Sequence, residues 1–351
     1  MKILIVAGGT GGHLYPGIAL ARALAGQDVI FVIRRGDMGK DILQKEGFAF
    51  REIAGQGLPR AFSFRALAFP YNFLRGWLET RSLLKAIRPD RVVGMGGYLS
   101  IPVIITAHTL GIRTLLHEQN AFPGLANRFL ARWADSVAVS FPFSLTYFPK
   151  GKSWVSGLPV RPEIGTIDQT AGRQHLGLDP QVHTFLVFGG SLGAQKINTL
   201  CIEAWGLLQA KNLKFQVIHI TGTKDFDRVQ KIYSELSFGV KVMPFCHAMA
   251  DAYAAADAVI SRAGASTVAE LLKVCCPALL IPYPHATNNH QLYNAQVLEA
   301  DRLAQVVLDN ALTASGIADF LSGILKEDSS SPKRAVASLP DAAQRLATYL
   351  I

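Results

Sequence analysis

Cysteine is scarce in this chain, and the few cysteines carry no chemical pattern. Cys201, Cys246, Cys275 and Cys276 form no CxxC pair and no metal-ligand spacing. They read as small core residues in a reducing compartment, not as a disulfide framework or a zinc site. Charge is sparse too, at 17% of residues, and no block of consecutive Lys/Arg or other nucleic-acid motif stands out. No signal peptide is expected, because the first apolar run is short and leads directly into a glycine loop. No Asp-x-Asp pair points to a sugar-nucleotide metal site, and no metal is expected. Acids are scarce in the first half. Residues 1–160 hold 19 Lys+Arg against 9 Asp+Glu, whereas the remainder holds 16 against 17. The excess positive charge therefore lies in the first half. It suits an anionic partner, such as a phospholipid surface or a phosphorylated substrate, or else it is a solvated basic face. Nucleic acid is not among the expected partners.

What is present is a pattern stated twice. Ile3-Leu4-Ile5-Val6-Ala7 leads into Gly8-Gly9-Thr10-Gly11-Gly12-His13 and a helix-like run from Pro16. Phe185-Leu186-Val187-Phe188 leads into Gly189-Gly190-Ser191-Leu192-Gly193-Ala194 and a second helix-like run. Each is a buried strand, a glycine turn and a helix N-terminus, where close backbone approach, free N–H groups and the helix dipole favour an anion. Two such units predict two nucleotide-type α/β domains with a phosphate-bearing ligand between them.

Strand-like and helix-like runs alternate on both sides of the turn-rich Ser156–Pro162 crossover. Strands are predicted at 2–7, 29–33, 91–95, 113–117 and 136–139, then at 184–188, 215–220, 240–243, 257–260 and 278–281. Helices are predicted at 16–26, 37–46, 72–87, 101–110 and 123–133, then at 194–210, 225–236, 248–255, 265–273 and 289–300. This alternation predicts α/β architecture with two doubly wound, mostly parallel sheets. The domains are expected at 1–160 and 161–334, with a terminal helix within 335–351 packing back on the first. Val92–Ile112 lacks charged residues and is long enough to span a bilayer, which takes about 20 residues. Its glycines and Pro102 favour a strand, a turn and a buried helix instead.

Several positions carry candidate chemistry. His13, with an ordinary pKa of about 6.5, suits a general base for a hydroxyl nucleophile or merely caps its loop. Ser191 adds a hydroxyl to a diphosphate-binding turn. Glu270 follows Arg262-Ala263-Gly264-Ala265-Ser266-Thr267 in the first turns of a helix, where it complements the dipole or accepts ribose hydroxyls. Asn288, Asn289, His290, Gln291 and Asn294 gather amides that suit sugar hydroxyls or loop and cap duty. His117-Glu118-Gln119-Asn120 ends a strand, the place where α/β sheets bind ligands. Arg60–Arg91 interleaves seven basic residues with aromatics. Phe69, Phe73, Arg75, Trp77 and Arg81 there read as an interfacial membrane patch or as a helix with a buried aromatic face. The first glycine turn also permits an NADP-dependent oxidoreductase, since Arg34-Arg35 could take a 2′-phosphate.

Taken in order, these motifs, together with Gly96-Gly97-Tyr98-Leu99-Ser100 and His290-Gln291-x-x-Asn294-Ala295, resemble the MurG family from Lys2 to about Ala300. That family makes lipid II in bacteria. The resemblance implies a GT-B fold and inverting transfer of N-acetylglucosamine from UDP-N-acetylglucosamine to the muramyl 4-hydroxyl of lipid I, without a cofactor. It implies that Ser191 and its loop hold the UDP diphosphate and that Glu270 binds the ribose. Arg161 and the Cys246 backbone would contact the uracil. Asn120, Ala265 and Gln291 would read the sugar, with Ser266 and Thr267 beside them. Thr10, Gly11 and Gly12 would line the cleft, Gly96, Gly97, Tyr98 and Ser100 would face the acceptor, and His13 would be the base. It further implies peripheral attachment to an anionic membrane at the cytoplasmic face of the inner membrane, with cell-wall synthesis and division proteins as partners. Two positions depart from the family pattern: Leu158 stands between Gly157 and Pro159 where Asn is frequent, and Ile101 follows Ser100 where Gly is common. The competing readings are another GT-B transferase, the oxidoreductase, and a non-catalytic sugar-nucleotide or membrane module.

Overall fold

A computed structural model describes residues 1–8, 11–54, 69–190, 193–236, 238–326 and 341–351, with side chains described from 75 onward in the helix that begins at Phe69. The chain forms two compact units, Met1–Arg161 with Leu339–Ile351, and Pro162–Ser338.

The first unit holds seven strands: β1 (Lys2–Val6), β2 (Asp28–Arg34), β3 (Ala49–Ile53), β4 (Arg91–Gly94), β5 (Arg113–Glu118), β6 (Ser136–Val139) and β7 (Ser153–Val155). They are parallel in the order β3-β2-β1-β4-β5-β6-β7. The second unit holds β8 (Thr184–Phe188), β9 (Gln216–Ile220), β10 (Val240–Met243), β11 (Ala258–Ser261), β12 (Ala278–Leu280) and β13 (Ala304–Val306). Their order is β10-β9-β8-β11-β12-β13, again parallel.

Helices cover both faces of such sheets, so central strands are apolar throughout. Every residue of β8, Thr-Phe-Leu-Val-Phe, is buried. The strand order reverses at β1/β4 in one unit and at β8/β11 in the other. Ligands bind beyond the carboxyl ends of strands at such switch points. The glycine turns after β1 and β8, and the turns after β4 and β11, all lie there.

Three short strands fall outside the predicted set: β3, β7 and β13 at the sheet edges. β3 alternates exposed and half-buried residues, and β7 and β13 have three residues each, so none shows the buried apolar run that identifies its neighbours. Two further helices, Gln169–His175 and Ala314–Lys326, also lie outside the predicted set. The first helix begins at Gly11, not Pro16, and runs to Ala23 with Pro16 inside it. Proline here removes one backbone donor without ending the helix, and His13 accordingly sits on the first helical turn. Val92–Ile112 resolves into most of β4, a turn and the helix Ser100–Thr109. Among the described residues no helix is long and apolar enough to cross a membrane.

The helix Ala342–Leu350 packs in the first unit. Asp341 caps it by accepting from the Ala343 amide, and Leu346, Ala347 and Leu350 are buried in the core formed by Ile3, Ile5, Leu20 and Phe31. Tyr349 meets Trp154 at 5.3 Å between ring centroids.

Candidate active site

In the first unit the site is built where β1, β4 and β5 end. The turn after β4 needs glycine twice, since Gly96 and Gly97 have φ of 92° and 76°. It also leaves room for a ring: a Cβ on Gly96 would lie 3.2 Å from His13 Cε1 and 3.2 Å from Gln119 Oε1. His13 thus packs over the Gly96-Gly97 turn. Ser100, fully buried, donates to the Gly96 carbonyl at 2.8 Å and ties that turn to its helix. Tyr98 is exposed.

His13 Nδ1 lies 3.1 Å from Gln119 Oε1. Gln119 Nε2 donates to the Met95 carbonyl at 2.5 Å and lies 3.3 Å from His117 Nδ1. His117 Nε2 lies 3.0 Å from the Gly157 carbonyl. Burial pushes the His117 imidazole down to about 4, with His13 acting in the same direction and the Gly157 carbonyl opposing. His117 is therefore neutral at physiological pH.

Glu118 shapes the next loop. Its carboxylate accepts from the Asn120 amide at 2.9 Å, the Gly124 amide at 3.1 Å and Asn127 Nδ2 at 2.9 Å. Burial pushes this carboxyl above the ordinary range, and the donors pull it back. The Asn120 side chain also meets Glu118, at 3.3 Å, and is half-buried. Arg161 lies over the Tyr15 ring at 5.4 Å.

In the second unit the turn after β8 is wound too tightly for side chains at two positions. A Cβ on Gly189 would strike Ala194, and one on Gly193, at φ of 75°, would strike the Thr221 carbonyl. The turn delivers the 16-residue helix Gln195–Ala210, which has no acid in its first turn to compete for its N–H groups. Ser191 lies outside the described residues, as does Thr10.

The turn after β11 opens the helix Ala265–Val274, which carries Ala265, Ser266 and Thr267 in its first turn and Glu270 in its second. Glu270 is buried, and its carboxylate accepts from Tyr253 Oη at 2.9 Å. The Ser266 hydroxyl is buried with no hydrogen-bond partner among the described residues. Arg262 holds the ends of three segments together. It donates to the Ile281 and Pro282 carbonyls at 3.2 and 3.3 Å and pairs with Asp309 at 2.7 Å. Gln291 accepts from the Tyr283 amide at 2.9 Å, and Asn294 donates to the Ala263 carbonyl at 3.2 Å. Cys246 is buried just beyond β10.

Residues 3–139 match the glycosyltransferase family 28 N-terminal domain, and residues 184–346 match its C-terminal domain. Over 94% of its length the chain is 40% identical to a UDP-N-acetylglucosamine--N-acetylmuramyl-(pentapeptide) pyrophosphoryl-undecaprenol N-acetylglucosamine transferase of Caldanaerobacter subterraneus subsp. tengcongensis, covering 92% of that protein. The protein of that name from Thermodesulfovibrio yellowstonii is 38% identical over 97% of this chain and 94% of its own. The Acinetobacter baumannii MurG crystal structure superposes with a TM-score of 0.75 at 26% identity, covering 99% of this chain and 98% of that one. The chain belongs to the MurG family.

The MurG family fold is GT-B, two Rossmann-like domains, and both sheets fit it. The calicheamicin glycosyltransferase CalG4 shares the fold alone, at 14% identity and a TM-score of 0.67 over 99% of this chain and 94% of that one. Membership makes the chain a glycosyltransferase and removes the oxidoreductase reading. Arg35, offered there to a 2′-phosphate, reaches Glu79 at 3.4 Å.

Two sequence readings gain detail from the structure. One Asp-x-Asp spacing does exist, Asp225-Phe226-Asp227, but Asp225 is committed to Arg228 at 2.7 Å and to Asn198 at 2.7 Å. The basic patch is also partly neutralised: Arg75 pairs with Glu79 at 3.0 Å. Trp77 is half-buried with Arg81 6.0 Å above its ring, and the side chains of Phe69 and Phe73 lie outside the described residues. The structure adds Asn127, Tyr253 and Asp309, which sequence reasoning did not single out, and gives Gln119 a place of its own. Only Gln119 had a signal, its place in the polar tetrad ending β5.

Proposed function

We propose that this chain transfers N-acetylglucosamine from UDP-N-acetylglucosamine to the 4-hydroxyl of the muramyl sugar in lipid I, forming lipid II with inversion at the anomeric carbon. The observation that carries the proposal is the full-length likeness to transferases named for this reaction. The local geometry supplies a chemical route. His13 takes the proton of the acceptor hydroxyl as that oxygen attacks the anomeric carbon. The bond from that carbon to the UDP phosphate oxygen breaks, and the charge left on UDP is met by the helix Gln195–Ala210 and the turn before it. Ser191 is assigned to the diphosphate, and Glu270 to the ribose. Arg161 and the Cys246 backbone are assigned to the uracil, and Asn120, Ala265 and Gln291 to the sugar, with Ser266 and Thr267 adjoining. Thr10, Gly11 and Gly12 are assigned to UDP-N-acetylglucosamine, and Gly96, Gly97, Tyr98 and Ser100 to the acceptor. The segment 1–160, with the terminal helix, serves the acceptor, and 161–334 serves the donor.

The acceptor is a membrane lipid, and the first half carries the positive charge. We therefore place the protein peripherally at the cytoplasmic face of the inner membrane, with Phe69, Phe73, Arg75, Trp77 and Arg81 against anionic lipid and with cell-wall synthesis and division proteins as partners. Purified protein should move label from UDP-[14C]N-acetylglucosamine into a short-chain lipid I analogue, releasing UDP in step. His13→Ala should lose at least about 100-fold in kcat, the lower range for general base catalysis. Full turnover in that variant would remove His13 as the base, and absence of transfer by wild type would remove the reaction. Repeating the assay on vesicles tests the attachment: rates insensitive to anionic lipid would refute it.

A further inference from the structure

Gln119 stands between two histidines, and its amide has only one workable orientation. The Met95 and Gly157 carbonyl oxygens, at the two ends of the chain of contacts, can accept hydrogen bonds and nothing else. Met95 O, at 2.5 Å, requires the amide nitrogen of Gln119 on its side. The amide oxygen therefore faces His13 Nδ1 at 3.1 Å. At the other end, Gly157 O at 3.0 Å requires a proton on His117 Nε2. The neutral ring then presents the lone pair of Nδ1 to Gln119 Nε2 at 3.3 Å. Both orientations agree, so the amide cannot flip without placing oxygen against oxygen at Met95. His117 and Gln119 are 0% and 2% exposed, which shields the arrangement from exchange with water.

The consequence falls on His13. An acceptor oxygen opposite Nδ1 demands a proton there, and a neutral imidazole carries only one. We propose that Gln119, held by Met95 and His117, is a positioning residue that fixes His13 in the Nδ1–H tautomer and makes Nε2 its basic nitrogen. Nε2 is also the ring atom on the Gly97 side: a Cβ on Gly97 would meet it at 3.7 Å. When Nε2 takes the acceptor's proton, the Nδ1–H bond to the neutral amide persists, and no proton passes further. A carboxylate at this place would hold the imidazolium more tightly and slow its deprotonation; the amide orients the ring without that cost.

The inference rests on His13 as the base, and the test separates the two. The full-length protein labelled with 15N-histidine is examined by long-range 1H–15N correlation at pH 8, with His13→Gln used to assign the signals. In wild type, His13 should show a protonated Nδ1 and an unprotonated Nε2. In Gln119→Leu, which leaves Nδ1 without its acceptor, the Nε2–H form should become populated. The kcat of that variant should fall at least 10-fold, with KM for UDP-N-acetylglucosamine within 2-fold of wild type. An Nε2–H tautomer in wild type, or an unchanged tautomer in Gln119→Leu, would overturn the positioning role and leave the base assignment standing. Full activity of His13→Ala beside the expected tautomers would overturn the base assignment alone. Gln119→Glu, nearly isosteric, covers the case in which Gln119→Leu fails to fold. An oxygen of its carboxyl group still accepts from Nδ1, so Nδ1 should stay protonated, and an Nδ1 without a proton there would count against the proposal.

Discussion

A single missing methyl group decides the placement of His13. Gly96 combines a left-handed φ with contacts of 3.2 Å from its notional Cβ to His13 and Gln119. Gly26 has nearly the same strain, φ of 86°, but no described residue lies within 4 Å of its notional Cβ. Gly26→Ala and Gly96→Ala should both lose about 1–3 kcal/mol of stability for the backbone conformation. Only Gly96→Ala should also push the imidazole aside. Displacement of a reacting group by an ångström costs about 100-fold in rate, so kcat should fall steeply in Gly96→Ala and hold in Gly26→Ala. Equal kcat values in the two would show that the turn does not position His13. At this scale the sequence was legible where a residue type is rare in its setting: His13 in a glycine loop, or four polar residues ending an apolar strand. It was silent on partners. Nothing in the spacing of Gln119 reveals that its amide lies between histidines, because that contact joins residues 106 apart in the chain.

Among the elements, β9 and the two helices that follow β8 and β9 share a buried polar network. His219, on β9, reaches Tyr233 Oη at 2.7 Å and Asn198 Oδ1 at 3.1 Å, while Trp205 Nε1 donates to the same tyrosine at 2.7 Å. Burial pushes His219 down to about 3, with Asp225 opposing and Arg228 assisting. The folded ring binds its proton only near pH 3, while the unfolded ring binds it at about 6.5. Stability is therefore full above about 6.5 and is lost as pH falls towards 3, by about 2 kcal/mol at pH 5. His117 adds a similar loss in the first unit, levelling off near its value of about 4. Urea unfolding at pH 7.5 and pH 5 should show this difference, and His219→Gln should shrink it for the second unit. A difference unaltered by His219→Gln would mean that the ring is not held neutral. Elements themselves were legible wherever a run was long and apolar. The edge strands β3, β7 and β13 were not, since an edge needs less burial and so leaves less pattern.

For the whole molecule, the two units take their stability from separate cores, and one tryptophan reports on the second. Trp205 is buried there against Phe185 and Phe215, whereas Trp77, Trp133 and Trp154 belong to the first unit. Leu346 is fully buried in the core of the first unit. Leu346→Ala should destabilise that unit by about 3 kcal/mol and leave the Trp205 transition where it is. A matching shift of the Trp205 transition would show that the units unfold as one. The two-fold statement of strand, glycine turn and helix made the domain plan legible, because each statement is local. The identity of the acceptor was not local, and it followed from likeness along the whole chain.

The terminal helix has one more consequence, for synthesis. Domains usually fold from the N-terminus as the chain emerges. Here the unit whose first strand precedes the whole of the second unit waits for Leu346 and Leu350, which follow that second unit in the chain. On the ribosome its partner can be finished while an apolar trough around Ile3, Leu20 and Phe31 still lacks its cover. The first half is thus the later to mature, and a stalled or clipped chain would display that trough to chaperones and proteases.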